Sequence, residues 1–345
     1  MELFHLCFTK IQMMIKLLSR IIRDRNFVLI LAVLLGLTIG DWAEYLKTYT
    51  FYILAVVMIF STTGLSTKAL FPLKKMIQPL LLGSVLNYIV FGMVIISLAY
   101  FLMPTPELFL GFVVIAATPP GVAVIPFSHI LEGDIKYGIV GVLGAFISSI
   151  FMAPAIVGLL SNVEGGIDSG MLFMNMIKLV LVPMIISRFL LWKPIKPTVE
   201  LIRGKIVDWG FALLIFTAVG LNRQVFFSNF EILFLVALVL FLSIFGLGWF
   251  YEFIAARLGI NKEIAMTQNL LLTIKSSGFA VVTALTLFGK EAAIPSAVMA
   301  IFVLLYLLYL SFRMEYRKRR IKAKRVKNTE TTKAMISQVS IQPFS

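Results

Sequence analysis

A lysine lies in the middle of an apolar stretch, and small polar residues follow it. The stretch covers residues 264–288, with Lys275 near its centre and then Ser276, Ser277 and Gly278. A lysine at the centre of a membrane helix costs about 2.5–3.5 kcal/mol on insertion scales, so its ammonium is expected to face protein or water. Serine hydroxyls hydrogen-bond the backbone and glycine loosens it. The pattern predicts a positive charge held beside a helix break; a lysine that extends to the lipid headgroups is the alternative.

A second apolar stretch, residues 108–131, carries two adjacent prolines at its middle. Pro119 and Pro120 are followed by Gly121. Two prolines in a row remove two N–H donors and clash with the preceding turn, so an unbroken helix cannot pass through them. At bilayer depth the freed backbone groups are tolerated only inside protein or beside water. A true break is predicted here, and a proline kink that serves packing alone is the alternative.

The elements that must position these residues are membrane helices. The chain has 345 residues, of which 60% are hydrophobic and 14% charged, whereas soluble domains have about half and a quarter. A soluble fold of this length could not bury so much apolar surface in one core. The apolar runs predict an all-α membrane protein with ten transmembrane helices. These lie near 27–43, 50–66, 76–103, 108–131, 136–161, 170–191, 205–220, 230–256, 264–288 and 294–313.

The charges between these helices predict their orientation in the membrane. Lys and Arg collect in alternate connections, near 68–75, 188–205 and 257–262. Basic loops mark the cytoplasmic side of the membrane. Both termini are therefore expected on the cytoplasmic side of the cell (inner) membrane. Residues 1–26 are predicted to be a basic amphipathic segment on the inner face. Residues 314–345 are predicted to be a basic cytoplasmic tail that acts as a stop signal, so no nucleic-acid partner is expected.

Little in the sequence suits an enzyme. The single Cys7 permits no internal disulfide and no metal cluster. There is no Ser-His-Asp order, no metal-ligand spacing and no Gly-rich phosphate loop. We therefore expect a protein that is not an enzyme, with no metal site and no cofactor. His129, at the cytoplasmic end of the fourth helix, is either a proton relay or a solvated helix end.

The two interrupted helices occupy matching places in the chain. Ten helices divide into two sets of five, and an odd-numbered repeat inserts upside down relative to its twin. Broken helices at corresponding positions of inverted repeats are the best sequence sign of a transport site. Gln268 and Asn269 precede the ninth-helix break by under two turns, where they either contact substrate or link helices. A secondary transporter is predicted, with a channel or a non-transporting membrane sensor as the alternative.

Three segments of the chain resemble the bile acid:sodium symporter family. They are FSTTGLSTKALFPLKK (60–75), TPPGVAVIPFSHILEGDIKYGIVG (118–141) and IKSSGFAVVTALTLFGKEAAIPSAVMAIF (274–302). Their order and spacing carry the resemblance, which covers about residues 28–313. It implies that the fourth and ninth helices cross within a core domain that faces a panel domain. The implied panel domain is 27–67 and 170–220, and the implied core domain is 76–161 and 230–313.

The resemblance also implies a function and partners. Relatives carry small organic anions, such as bile acids and other carboxylates, by alternating access in which the core moves against the panel. A small organic anion and the lipid bilayer are therefore the expected partners, and the protein is expected to be a monomer or a homodimer.

The chain departs from the family where relatives bind sodium. The positions that hold hydroxyl, amide and carboxylate ligands in relatives are here Val124, Ile125, Gly138, Val142, Leu271, Lys275 and Asn87. Apolar side chains offer no oxygen to a hard cation, so both sodium sites are predicted to be lost. Lys275 has the charge of the missing ion and can donate to the same freed carbonyls. Asn87 is expected either to make a polar contact near Lys275 or to form a simple interhelical hydrogen bond.

The predicted function is sodium-independent transport of an organic anion, with Lys275 replacing the ion. The carrier would be a uniporter, or it would couple transport to protons if the amine releases and takes up a proton during the cycle. A sodium- or proton-coupled symporter of the same family is the alternative.

Overall fold

The structure is a computed structural model, and all of the regular secondary structure that it describes is helical. It describes residues 25–64, 77–161, 174 and 177–339, with side chains from 27 to 317 apart from 179, 180, 225 and 228. The predicted amphipathic segment 1–26 lies outside these ranges except for its last two residues. So do residues 340–345 of the predicted tail.

The first half of the described chain contains helices whose starts follow local capping chemistry. Thr105 caps the fifth of them by accepting a hydrogen bond from Leu108 N at 3.4 Å, and Asp134 caps the seventh by accepting from Tyr137 N at 3.0 Å. Such side chains satisfy N–H groups that have no partner within the helix. The helices are α1 (Arg25–Ile39), α2 (Ala43–Lys47), α3 (Thr50–Thr62), α4 (Ile77–Leu102), α5 (Pro106–Ala117), α6 (Val124–Ile130) and α7 (Ile135–Leu160).

The helices of the second half follow the same rules. Asn261 caps the fifth of them by accepting from Glu263 N at 2.9 Å. The helices are α8 (Val182–Leu190), α9 (Lys196–Leu221), α10 (Arg223–Ser228), α11 (Phe230–Arg257), α12 (Lys262–Thr273), α13 (Ser277–Leu287) and α14 (Ile294–Val339). Residues up to 304 form one compact unit, and the rest of α14 belongs to a second unit.

Six of the described helices are long and apolar enough to cross a membrane, which makes the chain a multi-pass membrane protein. They cover Phe27–Lys47, Ile77–Leu102, Ile135–Leu160, Lys196–Leu221, Phe230–Arg257 and Glu291–Arg317. Shorter apolar helices are α3, α5 and α13. The last two are short because the runs predicted as the fourth and ninth spans are each divided in two.

The seventh predicted span begins earlier than the sequence analysis placed it. Helix α9 starts at Lys196, whereas hydropathy put the start at residue 205. Pro197 stands in the first turn, where its fixed φ suits a helix and its missing N–H costs nothing. Arg203 and Lys205, assigned to a loop, are therefore on a helix.

The helices pack in two groups within the first unit. Helix α9 packs along α1 and α3, and α8 also packs on α3. In the other group α4 packs on α7, α5 packs on both, and α12 contacts α7 and α11. Helix α13 contacts α5 in the second group as well as α9 and α3 in the first. The stretch after the second break therefore lies where the two groups meet.

Two of the long helices contain π-helical stretches. One is Val85–Val90 in α4 and the other is Leu242–Gly246 in α11, while a further one, Ile177–Leu181, precedes α8. Stretches of this kind occur often at functional sites, because i→i+5 bonding disturbs the regular pairing of carbonyls along the helix.

The close packing of α4 on α7 predicts a selective effect of a single methyl group. A Cβ on Gly83 would lie 2.8 Å from the Cα of Gly141, so Gly83→Ala must push two backbones apart. Overpacking of this kind costs about 1–3 kcal/mol, and we expect a lower melting temperature of the purified protein in detergent, followed by tryptophan fluorescence. Gly92→Ala in the same helix is the control, because its Cβ would meet Ala116 Cβ at an ordinary 3.8 Å. Equal melting temperatures for the two variants would contradict the packing.

Candidate substrate site

Both interrupted helices are broken where the sequence predicted. Helix α5 ends at Ala117 and α6 begins at Val124, so the prolines lie in a non-helical segment. Helix α12 ends at Thr273 and α13 begins at Ser277, which leaves Lys275 in the second break. The two predicted breaks are confirmed, and the alternative of a proline kink in a continuous helix is wrong.

The two breaks pair with each other. Pro120 and Lys275 form an isolated antiparallel bridge. Its hydrogen bonds run from Gly121 N to Ile274 O at 2.9 Å and from Ser276 N to Pro119 O at 3.1 Å. A Cβ on Gly121 would lie 3.2 Å from Lys275 O, so glycine permits this close approach. Each break thereby satisfies backbone groups that the other leaves free.

The ammonium of Lys275 is buried at this crossing. Its Nζ donates to Thr118 O at 2.7 Å, Ala116 O at 3.1 Å and Asn87 O at 3.2 Å. An ammonium has three N–H donors, and each has a carbonyl here. The residue is 2% exposed, so the predicted burial in protein is confirmed and extension to the headgroups is wrong.

Asn87 supports the ammonium from α4. It lies in the π-helical stretch Val85–Val90, and its side-chain Nδ2 donates to Thr118 O at 3.1 Å. Its Oδ1 has no hydrogen-bond partner among the described residues. The rings of Tyr88 and Phe91 lie 5.2 Å and 5.1 Å from the Lys275 Nζ, within the range of cation–π attraction. Asn87 therefore contacts Lys275 through its backbone carbonyl, and its side chain makes the interhelical hydrogen bond that was the alternative.

The positive charge of Lys275 has no negative partner in the part of the chain that the structure describes. The ion pairs found there lie elsewhere, such as Lys290 with Glu44 at 3.0 Å. Carbonyl dipoles and aromatic faces therefore hold the charge without neutralising it. A charge in such a weakly polarisable surrounding attracts an anion more strongly than it would in water.

Gln268 and Asn269 link helices. Gln268 Nε2 donates to the Tyr137 hydroxyl at 2.6 Å, and the Tyr251 hydroxyl donates to Gln268 Oε1. Asn269 Nδ2 donates to Glu252 Oε1 at 2.9 Å. Both are buried, and their bonds join α12 to α7 and α11. Of the two predicted roles, the structure shows the helix-linking one.

The other predicted site residues divide between the crossing and the surface. Ser276 is buried at the bridge, and Ser277 begins α13 next to it. His129 is exposed on the last turn of α6, at the end away from the break. The structure therefore brings the serines together with Lys275 and places His129 at an exposed helix end, away from the crossing.

Comparison with known proteins identifies the relatives of this chain. The profile of the Sodium Bile acid symporter family matches residues 51–229, which is more than half of the sequence. The chain belongs to the sodium bile acid symporter family. No curated protein matches the chain. The match contains the first break and ends before α12, so Lys275 lies outside the matched segment.

This member of the sodium bile acid symporter family has apolar side chains at positions where the resemblance places sodium ligands. Val124, Val142 and Leu271 are each 0% exposed. A Cβ on Gly141 would lie 2.5 Å from Leu271 Cδ1, so the leucine fills the space between α12 and α7. Side-chain oxygen donors are therefore absent from these positions, and freed carbonyls of the first break are bonded to Lys275.

A cavity of about 270 Å³, which the sequence did not predict, lies beside the first break. It is lined by Ser61, Gly64, Val122, Ala123, Ile125, Pro126, Arg203, Gly204, Val207, Asp208 and Phe211. Helix α9 supplies five of these residues. The proline in the first turn of α9 was the signal that could have placed Arg203 on this helix.

Removal of the Lys275 ammonium is expected to destabilise the protein. Lys275→Met leaves the carbonyls of Asn87 and Ala116 buried without that donor, and each unsatisfied group costs about 1–3 kcal/mol. We expect the melting temperature in detergent to fall by several degrees. Lys290→Met is the matched control, because Lys290 forms an exposed ion pair with Glu44, and such pairs contribute about 0–1 kcal/mol. A Lys275→Met protein as stable as the control would show that the carbonyls do not need the ammonium.

Proposed function

We propose that this chain is a secondary transporter of a small organic anion that works without sodium, with the Lys275 ammonium in place of the ion. The observation that carries the proposal is the set of three carbonyls, from Thr118, Ala116 and Asn87, that accept hydrogen bonds from Lys275 Nζ. A positive charge thus stays at the crossing of the two broken helices without any ion from solution.

The donor set argues against a sodium ion at the crossing. Hard cations need several oxygen ligands, and the freed carbonyls of Ala116 and Thr118 already bind the ammonium. Val124, Val142 and Leu271 supply no oxygen in the same region. A tethered ammonium does not dissociate, so a sodium gradient cannot act through it. The carrier is then a uniporter, or it is coupled to protons if the amine exchanges a proton during the cycle.

The charge of the crossing favours an anionic substrate. A fixed cation held by dipoles, with no carboxylate paired to it among the described residues, creates a positive potential in its surroundings. Positive potential in a cleft with weakly polarisable walls raises the local concentration of anions. Small organic anions also fit the family to which the chain belongs.

Two kinds of irregularity support a ten-helix, inverted-repeat architecture. The breaks lie in the predicted fourth and ninth spans, and π-helical stretches lie in the third and eighth, Val85–Val90 and Leu242–Gly246. Features that recur five spans apart are what two inverted five-helix repeats would produce. We assign 27–67 and 170–220 to a panel and 76–161 and 230–313 to a core that moves against it during alternating access.

Uptake into proteoliposomes tests the role of sodium. Carboxylates that raise the melting temperature of the purified protein serve as radiolabelled tracers, with sodium, potassium or choline outside. We expect equal uptake in the three salts, because the charge at the crossing belongs to the protein. Strict dependence on sodium would refute the proposal. Binding of a tracer without any flux would instead favour a sensor.

Lys275→Gln tests the residue itself in the same vesicles. The amide keeps two N–H donors for the carbonyls but loses the charge. We expect uptake to fall at least tenfold while the protein still folds, as checked by its melting temperature. Lys290→Gln removes an exposed charge and serves as the control. Wild-type uptake by Lys275→Gln would rule out a role for the charge.

Thiol labelling tests the proposed orientation, with both termini on the cytoplasmic side of the inner membrane. Cys7 is the only cysteine in the sequence, so a membrane-impermeant maleimide should label it in opened membranes and not in intact spheroplasts. In a Cys7→Ser background, Ser345→Cys should behave like Cys7. Glu107→Cys, at the start of α5, should be labelled in intact spheroplasts. Labelling of Cys7 in intact spheroplasts would overturn this orientation.

A further inference from the structure

The cavity of about 270 Å³ lies against the first broken helix. Val122 and Ala123 line it directly after the first break. Phe211 lines it from α9 and packs on the start of α13, where a Cβ on Gly278 would lie 2.5 Å from Phe211 Cδ1. A ligand in this cavity is therefore in contact with the segments that the Lys275 crossing holds in place.

One wall of the cavity carries a guanidinium group that has no partner among the described residues. Arg203 is half-buried on α9 and forms no hydrogen bond or ion pair with any part of the described chain. A Cβ on Gly64 would lie 2.9 Å from Arg203 Nη1, which places the guanidinium at the end of α3. The planar fork of an arginine matches a carboxylate, to which it donates two parallel hydrogen bonds.

A buried hydroxyl lines the same cavity. Ser61 is 3% exposed, and its Oγ has no hydrogen-bond partner within the described ranges. Buried polar atoms in native proteins are nearly always hydrogen-bonded, so an unpaired one calls for a ligand or a water. A Cβ on Gly64 would lie 2.9 Å from Arg203 Nη1 and 3.3 Å from Ser61 O, so the end of α3 brings both residues to the same wall. The two groups together offer a carboxylate three donors.

The remaining walls limit what else the ligand can carry. Val122, Ile125 and Phe211 are apolar, and the volume is below the range of about 300–1,000 Å³ that is usual for drug-sized ligands. Asp208 also lines the cavity and has an interaction within the chain. The apolar walls offer no donor to a second carboxylate, and burial of a charge without a partner is costly.

We infer that Arg203 and Ser61 bind the carboxylate group of the substrate, and that the substrate is a small monocarboxylate with a compact apolar body. The guanidinium fixes the carboxylate, and Val122, Ile125 and Phe211 enclose the apolar part. These apolar walls discriminate against dicarboxylates, and the volume discriminates against sterol-sized anions. This inference rests on the proposed function, because it names the substrate class of the proposed carrier.

A binding screen tests the chemistry of the ligand. The melting temperature of the purified full-length protein is measured with branched and cyclic monocarboxylates of four to eight carbons, with their neutral amides, with dicarboxylates such as methylsuccinate, and with cholate. At least one monocarboxylate, such as isovalerate, should raise the melting temperature, because a ligand stabilises the state that it binds. Its amide, the dicarboxylates and cholate should not. A screen in which no monocarboxylate binds, or in which amides or cholate bind as well, overturns the inference.

Variants test the residues. Arg203→Gln should weaken monocarboxylate binding at least tenfold by calorimetry, Arg203→Lys less because the charge remains, and Ser61→Ala several-fold. Lys205→Gln removes the same charge from an exposed position two residues away on α9 and should bind as the wild type does. Wild-type affinity in Arg203→Gln overturns the assignment. If Arg203→Gln does not fold, the other two variants decide. Wild-type affinity in both Arg203→Lys and Ser61→Ala then overturns the assignment.

Failure of the proposed carboxylate site can be distinguished from failure of the proposed transport function. Sodium-independent uptake that requires Lys275 but not Arg203 would leave the transporter in place and remove the substrate site from this cavity. Binding that requires Arg203, with no flux in proteoliposomes, would keep the site and refute transport.

Discussion

The hydrogen bonds between one ammonium and three carbonyls hold the centre of this protein together. A helix that stops at mid-membrane leaves carbonyls without N–H donors, and lipid offers them none. Lys275 supplies three donors to the carbonyls of Thr118, Ala116 and Asn87, and the bridge between Pro120 and Lys275 satisfies further backbone groups. Each break can therefore be buried only because the other one supplies partners for its free backbone groups.

The surrounding helices fix the position of this pair. The π-helical stretch in α4 presents the Asn87 carbonyl, and α4 itself lies close to α7 because glycines face each other at Gly83 and Gly141. Hydrogen bonds from Gln268 and Asn269 tie α12 to α7 and α11. Buried polar networks hold a structure rigid when each member is satisfied. The crossing is thus supported from several directions, which suits a site that must keep a charge in one place.

The features of the site that could be predicted are those set by local chemistry. Two adjacent prolines cannot continue a helix in any fold, and a central lysine cannot face lipid in any fold, so the breaks and the burial of Lys275 were predictable. The Asn87 carbonyl acceptor was not, because Asn87 and Lys275 are 188 residues apart and only the packed structure brings them together. The start of α9 was misplaced because hydropathy follows the lipid boundary, whereas a helix continues through polar residues beyond it.

The cavity also could not be predicted from the sequence, because it too is formed by residues that are far apart along the chain. Ser61, Val122 and Arg203 come from three distant segments, and none of them is unusual in its own sequence context. Arginine and serine near a predicted helix end are ordinary residues of a membrane surface. Only the lack of partners among the described residues distinguishes them. A tethered ammonium cannot leave with the substrate, so in a uniporter its attraction for an anion persists through the whole cycle. Release must then depend on contacts that change when the two groups of helices move. Arg203 and Ser61 are suited to this role, since they lie on α9 and α3, in one group, while Lys275 lies in the other.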